Sequence, residues 1–269
     1  MQTIFLIVMF ILGACMGSFL CCQARRLRLK ETSATRSKKK LGPRSVCLSC
    51  NYQLRWYETL PIISWLAQKG KCKKCGHKIG ILELLSELGL ASSFLALSTT
   101  INITSATPLA WATFIMTLVL TLSLGFLAIY DGAYGELPSL CLTISIICAI
   151  IILILKEWTI LSIHSFSSTI ITDPLLSAFI LGGLYLGLYL ISKGKWVGDG
   201  DWLLALAIGL ALVHPFLALI ALFISNFLAC VIMYPFVKGK KQKKIHLGPF
   251  LVAAFVITAT LSNYLMAML

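Results

Sequence analysis

Apolar runs about twenty residues long, separated by short polar segments, set the pattern of this chain. Such runs predict helices near 3–22, 80–99, 108–130, 138–155, 174–192, 201–214, 216–237 and 248–268. A run of roughly eighteen or more apolar residues is enough to cross a hydrocarbon layer of about 30 Å. The sixth run is short, and only His214-Pro215 parts it from the seventh. Proline there removes a backbone donor and clashes with the preceding turn, so the helix ends or kinks. The expectation is therefore an all-α polytopic membrane protein with about eight transmembrane helices, seven being the alternative count.

The polar segments carry most of the charge. The chain has 23 Lys and Arg against 10 Asp and Glu, a net charge of +13, and 58% apolar residues. Its mean hydropathy is +0.90. Fifteen of the 23 cations lie in 23–79, and others fall at 193–200 and 238–246. Only Lys156 falls in a loop that eight spans would place on the opposite side. By the positive-inside rule, both termini face out and the basic loops face the cytoplasm. Anionic lipid head groups of the bilayer attract such loops, so the charge calls for no nucleic acid. Residues 3–22 lack a basic segment ahead of them, and the cations follow instead, so a retained first span is expected over a cleaved signal peptide. Three pieces result: a first transmembrane helix at 1–22, a cytoplasmic basic insert at 23–79, and a multi-span core at 80–269. Lys30 to Arg44 reads as a mobile linker.

Acids are rare here, and two of them share one predicted face. Asp131 closes the run Phe126-Leu127-Ala128-Ile129-Tyr130, and Asp201 opens another after Gly198-Asp199-Gly200. A carboxylate at the edge of a lipid-facing segment is costly unless it has a function. Two carboxyls sharing one proton are the minimum equipment of an aspartic protease. Glycines at 198 and 200 let another backbone approach closely. Trp196 and Trp202 flank the loop as interfacial anchors. Taken alone, each aspartate also reads as an ordinary interfacial loop residue.

The insert holds a second constellation. Cys47-Leu48-Ser49-Cys50 and Cys72-Lys73-Lys74-Cys75 are two CxxC pairs, and Gly76 follows the second in a turn that favours positive φ. Four thiolates from two tight turns complete a tetrahedral Zn²⁺ site, structural because no position stays open for water. A cytoplasmic setting argues against the alternative of two disulfides. The segment Trp56 to Leu66 suits either the lipid head-group level or the core of a small zinc unit. His77 competes weakly as a zinc ligand, His214 reads as a loop residue, and His164 and His246 carry no signal. The cysteines in or beside the spans read as small apolar residues.

Taken together, these residues resemble the type IV prepilin peptidases, including the competence-type enzymes of Gram-positive bacteria. The resemblance runs through Gly17-Ser18-Phe19-Leu20, Arg44-Ser45-Val46-Cys47, Trp56-Tyr57-Glu58 with Pro61, Ser64-Trp65, and Gly70-Lys71-Cys72. It continues in an Asp131-to-Pro138 D-x6-P pattern and in Gly198-Asp199-Gly200-Asp201 as G-x-G-D. The resemblance implies catalytic roles for Asp131 and Asp201 and zinc ligation by Cys47, Cys50, Cys72 and Cys75, with Gly198, Gly200, Pro138, Gly17 and Ser18 as supporting motif positions. It further implies removal of a short leader from prepilin or pseudopilin precursors at the cytoplasmic face of the bacterial cell membrane. N-methylation of the new N-terminus with S-adenosylmethionine follows by the same resemblance, without a recognisable donor site. Leu203, Ser139 and Asp199 depart from the family pattern, where a lysine, an acid or Asn, and a non-acidic residue are usual. Two other classes compete: a transporter, which would place acids at mid-membrane on broken helices, and a non-catalytic assembly factor for a pilus or secretion apparatus.

Overall fold

The computed structural model describes residues 1–33, 45–47, 49–163, 169–194, 197–237 and 246–267. Trp196, His164, most of the 30–44 linker and the basic loop at 238–245 lie outside the described residues. Among the described residues the chain is all-α, with no strand and only two isolated bridges, Val46 to Gln53 and Lys71 to Lys78. Among the described residues, seven helices are long and apolar enough to cross a membrane. The eighth expected span is a helix of 12 residues, Asp201–Leu212. At 1.5 Å per residue it reaches about 18 Å, short of a full crossing.

Two compact units are present: Thr3–Leu95, and Met1–Gln2 with Ala96–Leu269. In the first, helix α1 (Gln2–Ser33) outruns its apolar stretch by three turns. Hydropathy ends near residue 22, but Arg25, Arg26 and Arg28 are good helix formers, so the helix continues past its apolar stretch. A 3₁₀ turn (Trp56–Thr59) and the short α2 (Ile63–Ala67) follow, and then α3 (Ile81–Ser98). Helices α1 and α3 cross closely at two glycines one turn apart. A Cβ on Gly13 would lie 2.5 Å from the Leu90 carbonyl oxygen, and one on Gly17 would lie 2.5 Å from that of Ser86. Small residues at this spacing are how helices pack where lipid removes the hydrophobic drive. Gly17, a motif position by resemblance, therefore has a packing role.

The second unit contains α4 (Pro108–Tyr134), α5 (Ser139–Ile163), α6 (Thr169–Ala178), α7 (Leu184–Ser192), α8 (Asp201–Leu212), α9 (Pro215–Val237) and α10 (Gly248–Met266). Thr107 caps α4 by accepting from the Ala110 N–H, with Pro108 at the first helical position where its missing N–H is harmless. A π turn (Phe179–Gly183) joins α6 to α7, so the expected fifth span is one helix with a bulge.

The short α8 lies at the centre, packed by α5, α6, the π turn, α9 and α10, with Leu204, Ala205, Ala207 and Ile208 fully buried. A Cβ on its Gly209 would meet Ala178 Cα at 2.8 Å, so this crossing also depends on a small residue. Its carbonyl end is satisfied internally, as a membrane interior demands. Ser177 Oγ donates to the Gly209 carbonyl at 2.7 Å, and Lys156 Nζ donates to that of Ala211 at 3.0 Å. Lys156 thus lies within α5 and closes the end of a neighbouring helix. It does not sit free in a loop, because the apolar run continues as helix beyond residue 155. His214 and Pro215 form the expected break: Val213 takes φ +69°, and His214 Nδ1 accepts from the Phe216 N–H at 3.3 Å.

Candidate functional site

The two aspartates line one cleft of about 530 Å³ in the second unit, together with Glu136, Leu137, Tyr189 and His246. Asp131 sits in the last turn of α4, where Gly135 ends the helix at φ +70° and donates its N–H to the Asp131 carbonyl at 2.8 Å. Its carboxylate Oδ2 accepts from the Gly248 N–H at 2.9 Å, and Oδ1 lies 3.4 Å from His246 Nδ1. Gly248 opens α10, so Asp131 is held at the positive end of that helix. Asp201 is the first residue of α8, and its Oδ2 accepts from the Gly198 N–H at 2.8 Å. Both side chains are buried, 5% and 6% exposed, while Asp199, which lines the same cleft, is exposed. The pair therefore shares one architecture: a buried carboxylate at a helix start, fixed by a glycine N–H. Among the described residues, the second carboxylate oxygen of each has no such backbone anchor.

The glycines of this site are explained by close approach. A Cβ on Gly200 would fall 2.7 Å from Leu137 Cβ, so the loop of the D-x6-P pattern packs onto the Gly-Asp-Gly-Asp turn. A Cβ on Gly198 would come within 3.1 Å of Asp201 Oδ2. The space at Gly200 is filled by the protein itself, where the sequence suggested room for another backbone. Pro138 starts α5, its carbonyl accepting from Cys141 and Leu142. Sequence reasoning missed His246 and Gly248. His246 fits against Gly135, where a Cβ would lie 2.8 Å from the imidazole Cε1. The only sequence signal was a histidine followed two residues later by a helix-opening Gly-Pro.

In the first unit, Cys47, Cys50, Cys72 and Cys75 converge, with all four Sγ atoms within 4.8 Å of one another. Cys47 Sγ and Cys75 Sγ are 3.8 Å apart. A tetrahedron with Zn–S bonds of about 2.3 Å has edges of about 3.8 Å, so the cluster fits that ion. The two turns are near copies. Asn51 and Gly76 donate to the Cys47 and Cys72 carbonyls at 2.9 and 2.8 Å, with φ of +54° and +68°. Cys47 and Cys72 donate to the carbonyls of Tyr52 and His77 at 2.9 and 2.8 Å. Asn51 thus does for the first pair what Gly76 does for the second, since Asn tolerates the left-handed region. The Cys50 backbone N–H chiefly pulls the Cys47 thiol down to about 7. Cys50 is pushed up to about 11: the Tyr52 N–H lowers it, but burial and the thiols of Cys75, Cys47 and Cys72 outweigh that. A Cys47 thiol drawn down by backbone N–H groups suits a site that binds metal as thiolate.

The segment between the pairs divides its residues. Trp56, Ile63 and Leu66 are exposed, while Trp65 packs under Gly70, whose absent Cβ would lie 2.8 Å from the indole. Gly17 and Ser18 stand on α1, and the Ser18 hydroxyl bonds Glu87 on α3. Glu87 also accepts from the Ile62 N–H at 2.6 Å, tying the insert to α3.

Residues 11–101 match the family model of the bacterial peptidase A24 N-terminal domain. The chain is 38% identical over 85 residues to a prepilin leader peptidase/N-methyltransferase of Myxococcus xanthus (strain DK1622), covering 32% of this chain and 23% of that protein. A protein of the same name from Bacillus subtilis (strain 168) is 38% identical over 89 residues, 33% of each chain. One from Pseudomonas putida is 25% identical over 135 residues, 44% of this chain and 45% of its own length. The chain thus spans less than half the length of these curated relatives. No solved structure matches it. These matches bear out the resemblance to the prepilin peptidases read from the motifs.

Proposed function

We propose that the chain is an aspartic endopeptidase that removes the leader from prepilin or pseudopilin precursors. The observation that carries this reading is the shared cleft: Asp131 and Asp201 line one cavity, each buried and each anchored through one carboxylate oxygen by a glycine N–H. The names of the similar proteins support the same class of reaction.

Two carboxyls at one site share a single proton. The ionised one accepts a proton from a water held between them as the water oxygen attacks the scissile carbonyl carbon. The protonated one donates a hydrogen bond to the carbonyl oxygen. Collapse of the tetrahedral adduct breaks the C–N bond, and a proton passes from carboxyl to the leaving amine. The Gly198 and Gly248 N–H groups hold the carboxylates in place through this cycle. His246 supports Asp131 from the other side. The basic loops favour the cytoplasmic face for the cleft, so a precursor with an apolar stem in the membrane presents its polar leader there.

The four-cysteine cluster would hold Zn²⁺ in a structural role. S-adenosylmethionine, when bound, supplies a methyl group to the new N-terminal amine, an activity named in the similar proteins. The test is co-expression with a prepilin, followed by the mass of the pilin N-terminus. Leader loss that requires Asp201 supports the reading. An unprocessed precursor beside wild-type enzyme and an otherwise processable pilin contradicts it.

A further inference from the structure

Asn226 is the central residue of the 23-residue α9, and it is exposed there on a helix apolar enough to cross a membrane. The exposed stripe around it, Leu219, Phe223, Phe227 and Cys230, is otherwise apolar and has the spacing of one helical face. The Phe223 and Phe227 rings stack with centroids 6.0 Å apart, forming one ridge beside the amide. Hydrocarbon offers an amide no partner, so such a side chain is costly unless another helix satisfies it.

Half of this amide is satisfied within the protein. Its Nδ2 donates to the Leu222 carbonyl at 2.8 Å and to Tyr185 Oη at 3.2 Å. A carbonyl can only accept, so the Leu222 contact fixes which end of the amide is nitrogen. Among the described residues, nothing donates to Asn226 Oδ1. The Tyr185 hydroxyl also lies 3.4 Å from Ser225 Oγ, and Tyr185 is only 1% exposed. Asn226 is thus held by a buried partner while its acceptor stays unused.

This polar cluster is continuous with the aspartate cleft. Tyr189 lines the cleft with Asp131 and Asp201, and Tyr185 lies one turn from it on the same face of α7. Tyr185 is also within electrostatic reach of Asp201. Tyr189 is near the end of α7 that leads into the 193–200 loop, so the step to Tyr185 runs toward the membrane interior. Asn226, on Tyr185, carries the line out to the lipid-facing surface at the middle of α9. A second copy of the chain packing on α9 would give no reason for that continuity. A substrate cut in the cleft and continuing into the bilayer does.

We propose that the Asn226 face of α9 docks the apolar stem helix of the precursor, with Asn226 Oδ1 accepting a hydrogen bond from a donor side chain on that stem. The inference rests on the peptidase reading above. It goes beyond that reading by separating two tasks: the aspartates cut, and the ridge of Phe223, Asn226 and Phe227 aligns the helix that follows the cut. Alignment carries weight because a misplacement of about 1 Å at the reacting bond costs on the order of a hundredfold in rate.

The test is cleavage kinetics in liposomes holding full-length enzyme and precursor at varied mole fraction, for wild type, Asn226→Leu and Asn226→Gln. Asn226→Leu should raise KM about three- to tenfold with kcat within twofold, the size of one interhelical hydrogen bond in a bilayer. Asn226→Gln keeps the acceptor and should lie closer to wild type. A photo-crosslinking side chain at position 227, in an Asp201→Asn enzyme that leaves its substrate uncut, should capture the precursor. The same group at position 115, exposed near the opposite end of α4 from Asp131, should not. A wild-type KM in Asn226→Leu overturns the inference and leaves the peptidase reading intact, as does capture of a second copy of the chain in place of the precursor. A fall in kcat alone assigns Asn226 a structural role through Tyr185 and also overturns it. Capture of the precursor at position 227 beside a wild-type enzyme that never cuts it removes the peptidase reading and keeps the docking face.

Discussion

Gly248→Ala is a one-carbon change aimed at the anchoring of Asp131. A Cβ at residue 248 would lie 2.8 Å from Asp131 Oδ2 and 3.2 Å from Asp131 Cβ. The carboxylate cannot swing away freely, because Oδ2 holds the Gly248 N–H at 2.9 Å and Oδ1 contacts His246. Moving it breaks a hydrogen bond to a charged group, worth about 1.5–3 kcal/mol. If about 2 kcal/mol of that is felt in the transition state, turnover falls roughly thirtyfold. Gly248 is not among the positive-φ residues, so alanine meets no backbone strain there. In a helix, alanine is even favoured over glycine by up to about 1 kcal/mol. Abundance and melting temperature should therefore hold while kcat drops. The assay is leader removal from a purified prepilin by detergent-solubilised enzyme at matched concentration. Turnover within twofold of wild type would refute the claim that this contact positions Asp131.

His246→Ala should reduce turnover about three- to tenfold, less than Gly248→Ala, because the contact is 3.4 Å long and the ring is 33% exposed; kcat and KM measured separately check this. Zinc affinity should rise with pH, since the ligands are thiolates and binding releases their protons. With the Cys47 thiol drawn down to about 7 and Cys50 pushed up to about 11, apparent zinc affinity measured against a competing chelator should weaken as pH is lowered from 8 to 6. An apparent affinity independent of pH across that range would contradict the four-thiolate site. Gly17→Leu should destabilise the first unit by about 1–3 kcal/mol, because its Cβ meets the Ser86 carbonyl oxygen at 2.5 Å. Gly89→Ala, with nothing within 4 Å of its Cβ, should be neutral or stabilising; thermal melting in detergent separates the two.

Hydropathy places the helices well because lipid exposure forces nearly every residue of a span to be apolar, a demand visible locally. Exits from the membrane are less visible: α1 continues through Arg25 and Arg28 because charge ends a span without ending a helix. The length of α8 is set by its surroundings, where Lys156 and Ser177 on other helices donate to its last carbonyls. The aspartates and cysteines stood out by chemistry that is rare in such a chain. His246, Gly248 and the pairing of Asn51 with Gly76 did not, since each acquires its role from a partner distant in sequence or from a φ angle. Gly200 was legible as a required glycine, but its reason, the side chain of Leu137, exists only in three dimensions. The contact of Asn226 with Tyr185 likewise forms only when α7 and α9 come together.

The central claim is that Asp131 and Asp201 act as one catalytic pair. It is tested most directly by purified Asp131→Asn, Asp201→Asn and Asp199→Asn enzymes with a single prepilin substrate, following leader release by mass. The pair predicts no detectable release with either of the first two, at unchanged abundance, and near wild-type release with Asp199→Asn, a residue that is exposed where the other two are buried. Leader release by Asp131→Asn or Asp201→Asn at the wild-type rate would contradict the account.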